Sequence, residues 1–189
     1  MRPTIPNILT IGRVVAAPFV ALVFLTLARP LADMVAFALF TVAGLSDFLD
    51  GWLARRWGQV SAFGRMLDPI ADKAMVAITG AVLVGLFNLS AAITIPVAVI
   101  LLRETLVSGL REYLKGARVL DVTVLAKWKT TAQMTAFGVL LLAGAMEPDP
   151  WIFDVGVALL WVAGALTAIT GWDYFAKGLA YIKAKEDQA

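Results

Sequence analysis

Four carboxylates fall within 26 residues of a largely apolar stretch, in the arrangement Asp47-x-x-Asp50-Gly51-x-x-Ala54-Arg55-x(8)-Gly64-x-x-x-Asp68-x-x-x-Asp72. Ionised groups beside or within apolar helices are costly unless positive charge meets them. Asp47 and Asp50 are three residues apart and Asp68 and Asp72 four apart, so on helices each pair projects from one face, about a turn apart. Two such faces can close on one point, where the four charges would repel one another unless cations lie between them. The chain has no Cys and no His, and an all-oxygen donor set favours Mg²⁺, Mn²⁺ or Ca²⁺ over zinc or copper. Mg²⁺ held by a few carboxylates keeps positions open for substrate phosphates, which points to phosphate chemistry.

The elements that must position these groups are membrane helices. Of 189 residues, 60% are hydrophobic, far more than a soluble domain of this size needs, and the chain reads as an all-α integral membrane protein. Six segments are long and apolar enough to be expected as spans, at about 5–28, 31–54, 68–87, 91–115, 130–145 and 151–175. They account for nearly the whole chain, so one transmembrane catalytic domain over residues 1–189 is expected. The first segment lacks a small-residue cleavage site and reads as a helix, not a signal peptide. The connections at 29–33, 88–90 and 146–150 hold one positive charge, Arg29, of the 16 in the chain. Most of the others lie at 55–65, 115–129 and the termini. Both termini and the acidic motif are therefore expected at the cytoplasmic face, beside anionic headgroups.

A second group of charges stands out in the fourth and fifth spans. Arg103 follows an uncharged run from residue 89 to 102, and a cation that deep implies a polar cavity or partner. Arg111, eight residues on, shares nearly the same face, and Lys127 and Lys129 return at the next helix. Other charges have plainer readings. Lys115, Arg118, Lys177, Lys183 and Lys185 suit headgroup contact and topology. Without the motif the same would hold for Arg55 and Arg56. Arg13 and Lys73 read equally as snorkelling residues and as site support. Trp57 and Trp151 read as belt anchors, and Gly80 and Gly85 as helix-packing positions.

The eight spaced positions of the motif resemble, residue for residue, the signature of the CDP-alcohol phosphotransferases, integral membrane enzymes of phospholipid synthesis. Pro6-Asn7-x-Leu9-Thr10-x-x-Arg13, Arg103-Glu104 through Leu110-Arg111-Glu112, and Lys127-x-Lys129-Thr130-Thr131-x-Gln133 resemble the bacterial branch whose acceptor is sn-glycerol 3-phosphate. The resemblance implies six transmembrane helices, a CDP-diacylglycerol donor, and two Mg²⁺ or Mn²⁺ ions. Asp47, Asp50 and Asp68 would be metal ligands, and Asp72 both a ligand and the general base for the acceptor hydroxyl. Asn7, Thr10, Gly51, Ala54, Arg55 and Gly64 would contact the CDP-lipid, Arg55 by a forked contact to phosphate. Arg103, Arg111 and Lys127 would bind the acceptor phosphate, with Glu104 and Glu112 orienting them. A homodimer in the bacterial inner membrane, in contact with membrane lipids and with no nucleic-acid partner, completes the expectation.

Three alternatives stay open on sequence. The acceptor could be inositol phosphate, serine or a second phospholipid, which the motif does not distinguish. Acidic residues within helices also mark cation pathways, although here they gather at one face beside arginines. The third reading is a purely structural membrane partner.

Overall fold

A computed structural model describes residues 4–58, 61–114, 124–146 and 150–187, the side chains of Pro6, Ala54, Arg55 and residues 124–127 excepted. It contains six helices: α1 (Ile5–Thr26), α2 (Leu31–Trp57), α3 (Ala62–Leu86), α4 (Ala91–Tyr113), α5 (Val124–Ala145) and α6 (Pro150–Glu186). No strand occurs among the described residues. By length and composition α1, α2, α3, α4 and α6 are apolar enough to cross a membrane. The first half of α5 carries Lys127, Lys129, Thr130, Thr131 and Gln133, which keeps it below that threshold. It packs against α6, α2 and α3.

The other packing neighbours are α1 with α2 and α3, and α4 with α6 and α3. Where lipid tails are as apolar as leucine, close packing and not water exclusion holds helices together, so small residues belong at the contacts. Ala17, Ala36, Ala43, Ala136 and Ala163 are buried there among Val20, Phe40, Leu83, Ile93, Phe137, Leu140 and Leu160. Phe40 and Phe137, tilted with ring centroids 6.3 Å apart, join α2 to α5.

Glycines of α6 repeat this logic against α4. A Cβ on Gly164 would lie 3.1 Å from Pro96 Cβ, one on Gly171 2.7 Å from Arg103 Cγ, and one on Gly178 2.6 Å from a Leu110 methyl. Both series advance by seven residues, so α4 and α6 run in the same direction in a fixed register, directly against each other. Gly80 likewise packs beneath Val97 and Phe137, whereas Gly85 faces open space.

Two helix limits differ from expectation. The third helix begins at Ala62, not near Asp68, because Ser61 caps it by accepting from Gly64 N at 2.9 Å. Pro69, a residue suited to a helix start, lies inside the helix. The link between the two acidic pairs therefore shortens to 58–61. The last helix runs eleven residues past the expected end, to Glu186, since nothing between Phe175 and Glu186 breaks it and Gly178 is held against Leu110.

Gly164→Leu should destabilise the bundle by about 1–3 kcal/mol, because the atoms it meets include Pro96 Cα and cannot move aside. Gly85→Ala should leave the thermal unfolding of the detergent-solubilised protein nearly unchanged, or raise it slightly. Equal melting temperatures for the two variants would contradict the register.

Candidate active site

α1 is an apolar helix with a narrow polar stripe. Asn7, Thr10 and Arg13 recur at three-residue steps, so they lie along one side of the helix, and all three are buried. The stripe faces the end of α2 and the beginning of α3, where the motif carboxylates stand.

Those four carboxylates do converge, and Arg13 is what they converge on. Its Nη1 donates to Asp47 Oδ1 and, at 2.7 Å, to Asp72 Oδ1. Its Nη2 donates to Asp50 Oδ2 at 2.8 Å and lies 3.5 Å from Asp68 Oδ1. The planar fork of a guanidinium suits such contacts far better than a single ammonium would. Thr10 Oγ1 lies 3.2 Å from Asp50 Oδ2 and 2.9 Å from Asp68 Oδ1, so its single proton is shared between one oxygen of each acidic pair. The Arg13 side chain is only 4% exposed, while those of Asp47, Asp68 and Asp72 are about half exposed. Asp50 is buried. Read as sequence, Arg13 was no more than a candidate for site support; it is the cation at the centre. Its spacing from Asn7 and Thr10 was the available signal. Among the described residues no three acidic side chains lie together as a formed metal site; the guanidinium stands between them.

Asn7 reaches the same region by a different path. Ser61 Oγ donates to Asn7 Oδ1 at 2.8 Å while capping α3. A Cβ on Gly64 would come within 2.9 Å of that Asn7 oxygen, so Gly64 lets α1 approach the start of α3. Gly51 lies one residue after Asp50, half-buried near the end of α2. The side chains of Ala54 and Arg55, both expected at the CDP-lipid, fall outside the described residues. Beside the quartet opens a cavity of about 320 Å³, lined by Arg13, Asp47, Asp72 and, from α5, Thr130, Thr131 and Thr135. Lys73 is exposed.

The second charge group assembles where α4, α5 and α6 meet. Arg103 Nη1 donates to Glu104 Oε1 at 3.0 Å, and Lys129 Nζ donates to the same oxygen. Arg111 Nη2 donates to Tyr174 Oη at 3.2 Å. The guanidinium carbons of Arg103 and Arg111 lie 5.6 and 5.2 Å from the Tyr174 ring centroid, cation–π distances. Thus Arg103 and Arg111 both approach the Tyr174 ring, and Glu104 accepts from Arg103 and Lys129. The Lys127 side chain lies outside the described residues. Lys129, placed in this charge group by the sequence without a role, is the α5 cation that reaches it, and Tyr174 is an addition. Tyr174 closes a buried polar stripe, Thr167, Thr170 and Tyr174, at helical spacing on α6, which was the signal for it. Arg103 Nε is buried without a hydrogen-bond partner among the described residues.

Four carboxylates gathered at one centre and a group of cations at another, in an all-helical bundle of apolar helices, suit a phosphate-transfer class of protein. Residues 3–169 match the CDP-alcohol phosphatidyltransferase family, and the chain belongs to that family. It is similar over nearly its whole length to proteins named CDP-diacylglycerol–glycerol-3-phosphate 3-phosphatidyltransferase. The one from Cereibacter sphaeroides is 46% identical, covering 97% of this chain and 99% of the relative. That from Rickettsia bellii is 45% identical, over 90% and 93% respectively. That from Salmonella typhimurium is 42% identical, over 88% and 90%.

Thr10→Val, nearly isosteric but without the donor, should cost about 1–3 kcal/mol by withdrawing the proton shared by two charged groups, read as a lower melting temperature. Thr26→Val, whose hydroxyl bonds only backbone carbonyls of its own helix, should change it much less.

Proposed function

We propose that this protein transfers the phosphatidyl group of CDP-diacylglycerol to sn-glycerol 3-phosphate, releasing CMP and forming phosphatidylglycerophosphate. The observation that carries the reading is the convergence of Asp47, Asp50, Asp68 and Asp72 on one point, in a chain whose relatives are named for this transfer.

The donor set fits Mg²⁺ or Mn²⁺: four carboxylates from two helices, already gathered around positive charge, in a chain with no Cys and no His. Two such ions would neutralise the pyrophosphate of the donor lipid and the CMP oxygen that leaves. Asp47, Asp50, Asp68 and Asp72 hold them. Asp72, half exposed and on the cavity wall, also takes the proton from the acceptor hydroxyl as its oxygen bonds to the β-phosphorus and the bond to CMP breaks. No covalent enzyme intermediate is required. Asn7, Thr10, Gly51, Ala54, Arg55 and Gly64 contact the CDP-lipid, with Arg55 as its phosphate clamp.

Arg103, Arg111 and Lys127 bind the acceptor phosphate, joined by Lys129. The orphaned Nε of Arg103 supports this, since a phosphate oxygen is the acceptor it lacks. Tyr174 keeps the two guanidinium groups in place. The positive loops support a site facing the cytoplasm of a bacterial inner membrane, and the family resemblance alone supports a homodimer.

The purified protein should release CMP from CDP-diacylglycerol with glycerol 3-phosphate. Release with inositol phosphate or serine, but not glycerol 3-phosphate, would overturn the acceptor. Asp72→Asn should lower turnover by about 100-fold or more with the melting temperature retained; near-normal CMP release by that variant would remove Asp72 from the role of base.

A further inference from the structure

We propose that Arg13 is a positioning residue that serves as the internal counter-ion of the acid centre: in the metal-free enzyme it holds the four carboxylates together, and a divalent cation must displace it to bind. The inference rests on the metal reading of this site.

The geometry singles out Arg13 among the cationic side chains of the described residues. Its two terminal nitrogens face oxygens of Asp47, Asp50, Asp68 and Asp72, and these are oxygens a cation between the two acidic pairs would use. A dication and a guanidinium at the same few ångströms repel each other, so the two occupants exclude one another. One positive charge against four negative ones leaves the centre strongly acidic and still attractive to metal. Nor is the guanidinium fully satisfied where it is: Arg13 Nε is buried without a partner among the described residues. That leaves Arg13 well enough held to keep α2 and α3 together, yet open to exchange. The displaced group remains tethered to α1 at the wall of the 320 Å³ cavity that Arg13 already lines.

The consequence is an internal competitor. Affinity for metal is reduced by the fraction of molecules in which Arg13 fills the centre, and removing it should raise that affinity while exposing the unneutralised carboxylates. The test uses the full chain in detergent without lipid substrate, with Mn²⁺ as the probe. Free Mn²⁺ is followed by electron paramagnetic resonance, and thermal unfolding is measured in EDTA and in Mn²⁺. Arg13→Gln should bind Mn²⁺ about tenfold more tightly than the wild type, as expected if Arg13 holds the centre nine times in ten. It should melt at a lower temperature in EDTA and recover in Mn²⁺. Failure to fold without Mn²⁺ but recovery with it gives the same support.

Arg13→Lys keeps one charge and loses the fork, so its Mn²⁺ affinity should be intermediate. If Arg13→Gln does not fold under either condition, the lysine variant decides. Mn²⁺ affinity at or below the wild-type value in the variant that folds overturns the proposal, and so does an unchanged melting temperature of Arg13→Gln in EDTA. Absence of Mn²⁺ uptake by both wild type and variants removes the metal reading itself, and this inference with it. Uptake abolished by adding Asp68→Asn to the variant ties the signal to this centre.

Discussion

Four like charges gathered at one end of an apolar bundle can stay together only around positive charge, and in this protein one arginine provides it. The pairing of Arg13 with Asp47, Asp50, Asp68 and Asp72 determines how α1 lies against α2 and α3. Thr10 tightens the same contact through Asp50 and Asp68. The Asn7–Ser61 bond extends it to the first turn of α3. Removing the buried cation from this network would leave four like charges uncompensated, a far larger loss than neutralising one of the half-exposed carboxylates around it.

The cationic centre is built on the opposite plan. Arg103, Arg111 and Lys129 come from two helices, and Glu104 supplies the opposing charge to Arg103 and Lys129. Among the described residues, Arg13 in the acid centre and Glu104 in the cationic one each bring a charge of opposite sign that limits repulsion. α5 joins the two, with Lys129 at the cationic centre and the next two residues, Thr130 and Thr131, on the cavity beside the acids. The weak apolarity of α5 is therefore tied to its position: a helix carrying polar groups between two charged centres has to be shielded from lipid by its neighbours.

Much of this was legible in the sequence because it rests on local rules. The acidic pairs lie at helical spacing, and spacing alone brings each pair to one face. Arg103 announced a polar site by its depth. The remainder depends on tertiary packing. Arg13 could be placed at the acid centre only once α1 was known to lie across the junction of α2 and α3. α3 begins earlier than the apolar run alone indicates, with Pro69 inside it, since neighbouring helices of a membrane bundle let an interior proline stand. The hydroxyl and ring of Tyr174 acquire a role only when α6 is set beside α4. Lys129 was visible as a charge, but its inward direction was not.

The seven-residue register of α4 and α6 bears on how the chain can vary. Pro96, Arg103 and Leu110 each meet a glycine that leaves no space to spare, so the two helices mesh like gear teeth over this length. A single residue inserted into α4 between Pro96 and Leu110 would rotate all that follows by about 100° about the axis, turning Arg111 away from Tyr174. Compensation would require the same insertion at the matching height in α6. Length changes should therefore be tolerated in pairs here and singly only beyond Gly178, where α6 has left its last glycine contact with α4.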